Sequence, residues 1–153
     1  MKRLVIDASK CAGCRICELA CSFKHEGVFS PHLSRISVIK KDEYGFDYPL
    51  FCRQCDDCPP IRVCPVEALS RAEDDTIRVS DDCTGCALCV EACTFGAVSF
   101  DGSAPLICDL CDGEPFCVEM CPTDALSFVE LELFGEKVED AKDAQLRRWG
   151  IVG

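Results

Sequence analysis

The chain has 153 residues, a formal net charge of −11 and sixteen cysteines, enough length for one compact domain or two small ones sharing a core. That acidity argues against nucleic-acid binding and suits either docking onto basic protein surfaces or simply keeping the chain soluble. Neither a membrane-length apolar stretch nor, in Met1-Lys2-Arg3-Leu4-Val5-Ile6-Asp7, a signal-peptide core is visible, so the expectation is a reduced, cytoplasmic protein without membrane insertion, whose thiols bind metal.

In chain order, Leu4-Val5-Ile6 predicts a short strand leading into a first cysteine cluster, Cys11, Cys14, Cys17 and Cys21. Three cysteines at two-residue steps form a tight loop, and a fourth follows at i+4, which one helical turn would place on the same face. This is the spacing of a 4Fe-4S site, in which the fourth cysteine ligates the other cluster of a two-cluster ferredoxin. Gly13 recurs as Gly85 in the third cluster; glycine takes positive φ without strain and lets the loop turn its amides toward sulfur. Residues 34–50 predict a β-hairpin, with Ile36, Val38, Phe46, Tyr48 and Leu50 alternating around Asp42-Glu43-Tyr44-Gly45. His25 and His32 are expected in structural or surface roles, since sixteen cysteines already complete four sites.

The second cluster is Cys52, Cys55, Cys58 and, after a widened spacing, Cys64. Pro59-Pro60 can begin a helix but not occupy its interior, and Pro65 stops the turn carrying Cys64. An acidic turn at Glu73-Asp74-Asp75 and a strand over Thr76-Ile77-Arg78-Val79 lead to the third and most regular cluster, Cys83, Cys86, Cys89 and Cys93. Residues 50–100 thus read as one inner two-cluster module. The outer module is then 1–49 together with 101–128, completed by Cys108, Cys111, Cys117 and Cys121. Thr123-Asp124-Ala125-Leu126-Ser127 echoes Val66-Glu67-Ala68-Leu69-Ser70, which argues for duplication. Residues 129–153 are expected to form a docking tail with a helix over 136–149, where Trp149 beside Arg147 and Arg148 suits a partner anchor, the alternative being a helix that closes its own domain.

Zinc is the main structural alternative, because its four-cysteine sites also use cysteines two residues apart. Zinc sites use two separated pairs, whereas here triplets recur, and prolines follow Cys64 and Cys121, which favours iron-sulfur. Four clusters would carry the formal charge to about −19 and would staple a small apolar core. No catalytic acid, base or nucleophile constellation and no nucleotide-binding glycine loop is present. The sequence therefore reads as a non-catalytic electron-transfer chain of low potential, with substrate chemistry on another chain.

The cysteine pattern over residues 2–128 resembles the four-cluster polyferredoxins of the dimethylsulfoxide reductase iron-sulfur subunit family. The resemblance implies an α+β fold of two intertwined bacterial-ferredoxin-like modules binding four 4Fe-4S clusters, with a hairpin insertion and a C-terminal helical tail. It implies four ligand sets: Cys11, Cys14, Cys17 with Cys121; Cys108, Cys111, Cys117 with Cys21; Cys52, Cys55, Cys58 with Cys93; and Cys83, Cys86, Cys89 with Cys64. Within the family, Cys21-Ser22-Phe23-Lys24-His25-Glu26-Gly27-Val28-Phe29-Ser30-Pro31 and Leu33-Ser34-Arg35-Ile36 look like the small electron-transfer subunits of tungsten aldehyde oxidoreductases. The implied partners are a large tungsten- or molybdenum-cofactor catalytic subunit and a second redox partner, a flavin/NAD subunit or a ferredoxin. Self-association into a longer cluster row is a further expectation. Subunits of hydrogenases, carbon monoxide dehydrogenases or formate dehydrogenases, a freely diffusing ferredoxin, and a non-redox metal-stapled interaction module are the competing readings.

Overall fold

The structure is a computed structural model that describes residues 1–130. The expected tail helix and the Trp149 anchor lie outside the described residues. Short elements follow one another in an α+β order: β1 (Lys2–Ile6), α1 (Ile16–Glu26), β2 (Ile36–Lys41), β3 (Phe46–Phe51), α2 (Pro59–Val63), β4 (Leu69–Arg71), β5 (Ile77–Val79), α3 (Leu88–Ala92), β6 (Ser99–Phe100), β7 (Pro105–Leu106), α4 (Phe116–Glu119) and β8 (Leu126–Glu130). The strands form two-stranded antiparallel sheets, β1 with β8, β2 with β3, β4 with β5 and β6 with β7.

At three of the four clusters helix length tracks what comes after the last cysteine, whereas α3 ends at Ala92 although Thr94 rather than proline follows Cys93. Pro65 and Pro122 cannot continue a helix, and α2 and α4 are stubs of five and four residues. Nothing comparable follows Cys21, so α1 runs eleven residues, until Gly27 takes φ 70 and donates its N–H to the Phe23 carbonyl. Cys21 therefore lies inside a helix, as the i to i+4 spacing predicted. Cys64 and Cys93 do not; each leaves its helix in extended conformation, at ψ 113 and 110. For Cys89 to Cys93 this corrects the expected full helical turn.

The hairpin forms as expected, Ile36 opposite Phe51 and Lys41 opposite Phe46, closed by a single 3-10 turn at Asp42–Tyr44 and a left-handed Gly45. It contributes to two cores. Ile36, Val38 and Phe51 pack with Leu4, Leu110 and Leu126 around four cysteines, while Phe46 and Tyr48 cover Ala8. A second main core gathers Leu69, Ile77, Val98 and Ile107 around Cys89. Helix α1 packs on α4 and α2 on α3. Cysteine side chains thus sit inside each main core, where their placement is set by apolar packing on every side.

Candidate metal centres

Each cluster loop turns at the residue before its second cysteine, and that position is left-handed in all four copies: Gly13 (φ 64), Gln54 (φ 54), Gly85 (φ 70) and Leu110 (φ 58). The conformation costs a non-glycine residue roughly 1 kcal/mol, so two copies meet it against intrinsic preference. Leu110 is held by burial in the core. Gln54 is 2% exposed, and its amide donates to the Cys108 carbonyl (2.5 Å) and accepts from the Ile77 N–H (2.8 Å). Sequence reading found the glycines and missed these two, because nothing in their residue type announces the turn.

The fourth cysteines share a second device. In three copies the third residue after the cysteine is left-handed, namely Glu67, Gly96 and Asp124. This turn swings the next residue's amide back, and the N–H groups of Ala68 and Ala97 donate to Cys64 and Cys93 Sγ at 3.2 and 3.4 Å. Burial would raise the thiols of Cys64 and Cys121, yet backbone N–H groups, including those of Ala68 and Ala125, hold both below the ordinary value. The Val66-Glu67-Ala68 and Thr123-Asp124-Ala125 echo is thus a sulfur-capping turn. Cys21, in mid-helix, is served from outside: the Arg35 N–H donates to its Sγ at 3.3 Å, and His25 lies 3.8 Å away. These contacts lower Cys21 against the opposing effect of burial.

The sixteen cysteines are all free thiols, and they gather in groups that cross the sequence order. Cys11, Cys14, Cys17 and Cys121 line one cavity. Cys64, Cys83, Cys86 and Cys89 line another. Cys52, Cys55, Cys58 and Cys93 line a third, of about 440 Å³. Cys21, Cys108 and Cys117 share one core with Cys17, and Cys111 lies near enough to Cys21 and Cys117 for their charges to interact. The groups are adjacent in a definite order. Cys17 neighbours Cys117, Cys52 neighbours Cys108, and Cys52, Cys58, Cys64, Cys89 and Cys93 meet in the second main core. Cys14 and Cys86, in the two outermost groups, are the exposed cysteines.

Several residues outside the cysteine clusters connect the groups. His25 Nε2 bonds Asp109 Oδ1 (2.9 Å) and its Nδ1 bonds the Cys21 carbonyl (2.9 Å), tying α1 to the loop of the fourth copy. The Asp109 bond, then Cys21, raise His25 to about 10, which favours its protonated form. Lys40 Nζ bonds the Gly13 carbonyl (3.2 Å) and Asp47 Oδ1 (2.7 Å). Arg71 bonds the carbonyls of Gln54 and Cys55 and the carboxylate of Asp75. Asp75 also accepts from Arg3 at 2.9 Å.

Burial pushes Cys17 up to about 12 and Cys52 up to about 11, and it raises Cys108 and Cys117 as well. Such burial favours the neutral thiol when nothing is bound, so thiolates at these positions need a cationic core among the sulfurs, whereas the contacts to Cys21, Cys64 and Cys121 already favour the anionic form. The donor set is all sulfur, which fits iron-sulfur or zinc and excludes hard oxygen-preferring ions. Among the described residues no helix is long and apolar enough to cross a membrane.

Residues 77–99 match the family described as 4Fe-4S binding domain. The chain is 42% identical over 106 residues to the putative electron transport protein YsaA of Escherichia coli, covering 64% of this chain and 66% of that protein. It is 40% identical over 111 residues to the polyferredoxin-like subunit of the aliphatic sulfonate oxidoreductase of Pyrococcus furiosus, covering 70% and 64%. The match thus spans just under two thirds of each of these relatives. Among solved structures, a chain of the active site complex BamBC of benzoyl coenzyme A reductase is similar at TM-score 0.51 and 26% identity, over 98% of this chain and 92% of that one. The chain carries a small α+β, ferredoxin-like 4Fe-4S domain, and the proteins it resembles are named as electron transport proteins and iron-sulfur subunits.

Proposed function

We propose that the chain is the non-catalytic electron-transfer subunit of an oxidoreductase complex. Its sixteen cysteines hold four 4Fe-4S clusters in the groups Cys11, Cys14, Cys17, Cys121; Cys21, Cys108, Cys111, Cys117; Cys52, Cys55, Cys58, Cys93; and Cys64, Cys83, Cys86, Cys89. When bound, each cluster accepts and gives up one electron with no bond made or broken in the protein. The chain's residues supply the thiolates, donate amides to them, and hold neighbouring groups in register through Gln54, His25 and the β1–β8 pairing. Two intertwined modules follow, an outer one from residues 1–49 and 101–128 and an inner one from 50–100. The pairing of β1 with β8 and the packing of α1 on α4 and α2 on α3 support this division.

The observation that carries the reading is the ordered adjacency of four cysteine groups with an exposed cysteine in each outermost group. Such a row has two accessible ends, which suits a relay between two partners. One partner is a large catalytic chain with a tungsten or molybdenum cofactor, of the aldehyde oxidoreductase kind; the other is a flavin/NAD subunit or a ferredoxin. The naming of relatives as subunits of oxidoreductases supports the multi-chain assignment. The test is anaerobic purification of the tagged chain from its own cells with identification and metal analysis of what accompanies it. A large chain containing tungsten or molybdenum is expected, and recovery of the tagged chain alone, still reducible, would assign it as a diffusing ferredoxin.

A further inference from the structure

Cationic side chains are distributed unequally over the four cysteine groups. The group containing Cys86 is lined by apolar residues and Thr84, with no charged side chain. Beside the group containing Cys14, Lys40 rests on the Gly13 carbonyl and Asp47 balances it at 2.7 Å, while Arg15, which lines that cavity, is about half exposed and faces the buried Glu18 carboxylate at 3.9 Å. Beside the group containing Cys111, His25 meets Asp109 at 2.9 Å, and Arg78, which also reaches Asp109 at 3.6 Å, is paired with Asp74 and Asp112 at 2.9 and 2.7 Å, so carboxylates outnumber cations there. The group containing Cys55 differs. Arg53 and Arg62 line its cavity together with Asp57, and Arg71 stands behind its loop, donating to the carbonyls of Gln54 and Cys55. The carboxylate facing Arg71, Asp75, is shared with Arg3, whose side chain is 9% exposed. Two guanidiniums thus meet one carboxylate, and the network keeps a net positive charge.

We propose that Arg71 makes the site of Cys52, Cys55, Cys58 and Cys93 the highest in reduction potential of the four, the point where an electron rests within the row. The inference depends on the reading that these cysteines hold a 4Fe-4S cluster. Reduction there adds one negative charge; the electron arrives from one neighbouring site and leaves to the other, with no proton and no bond exchanged. A fixed cation a few ångströms away stabilises the reduced state, more so in a partly buried, low-dielectric setting. A guanidinium keeps its charge at every working pH.

The test is an anaerobic redox titration followed by electron paramagnetic resonance on the full chain, wild type against Arg71→Gln, Arg71→Lys and Asp75→Asn, with iron counted in each. In Arg71→Gln the highest of the four potentials is expected to fall, its one-electron equilibrium constant dropping about tenfold, which is about 59 mV, while the other three hold. Arg71→Lys should restore most of the drop, and Asp75→Asn should raise the same potential. An unchanged highest potential in an iron-replete Arg71→Gln protein, or an equal shift of all four, overturns the proposal. If Arg71→Gln loses iron, Asp75→Asn decides, and the absence of a rise there overturns it equally. A wild-type protein lacking four clusters would instead defeat the underlying reading, and the iron count separates the two failures.

Discussion

Gly13 and Gly85 hold the same left-handed turn, but their surroundings set different tolerances to a side chain. A Cβ at Gly85 would lie 2.5 Å from the Ser103 carbonyl oxygen, which is backbone, whereas at Gly13 it would meet the movable ends of Lys40 and Asp47. At Gly96 it would meet nothing. Gly85→Ala is therefore expected to lose iron from its site, Gly13→Ala to lose less, and Gly96→Ala to cost only about 1 kcal/mol of backbone strain. Iron content after desalting and a denaturation midpoint order the three; equal losses would contradict the steric reading. Gln54→Ala leaves the Cys108 carbonyl and the Ile77 N–H buried without partners, at about 1–3 kcal/mol each, and should lower the denaturation midpoint accordingly. The glycine turns were legible in the sequence because glycine announces positive φ. The equivalent turns at Gln54 and Leu110 were not, because what holds them is a bond to Cys108 in one case and core burial in the other, both long-range.

At the level of elements, proline placement accounts for the ends of α2 and α4 and for the run of α1, but not for α3, which stops at Ala92 with no proline after Cys93. Pro59-Pro60 opens α2 and Pro65 follows its end, while the absence of a proline after Cys21 lets α1 continue to Gly27. The hairpin was equally plain from alternation around Asp42-Glu43-Tyr44-Gly45. What the sequence could not show is how α1 is fastened, because Asp109 is 84 residues from His25. Removing that charge-assisted bond in His25→Ala is expected to destabilise the protein by about 2 kcal/mol and to loosen the fourth copy first. Hydrogen exchange should show residues 108–117 losing protection before 83–93; uniform loss would contradict the fastening role. Pairing of β1 with β8 likewise joins the segment before the first cluster to the segment after the fourth, far apart in sequence, so its register could not be read in advance.

At the scale of the whole molecule, cysteines occupy core positions that other proteins of this size fill with aliphatic side chains. The apolar residues alone make a small core, and buried thiolates crowded together repel unless a cation lies among them. Stability is therefore expected to be coupled to metal: prolonged iron chelation under reducing conditions should remove the cooperative unfolding transition, and a well-folded metal-free chain would contradict that coupling. The repeated cysteine spacing made all sixteen candidate ligands legible, while the uneven placement of cations around them emerged only in three dimensions. The most direct measurement is iron and acid-labile sulfide per chain on anaerobically prepared protein, joined to electron paramagnetic resonance after dithionite reduction. About sixteen irons and sixteen sulfides, with signals broadened by neighbouring reduced centres, are expected; zinc in their place, with no reducible signal, would contradict the account.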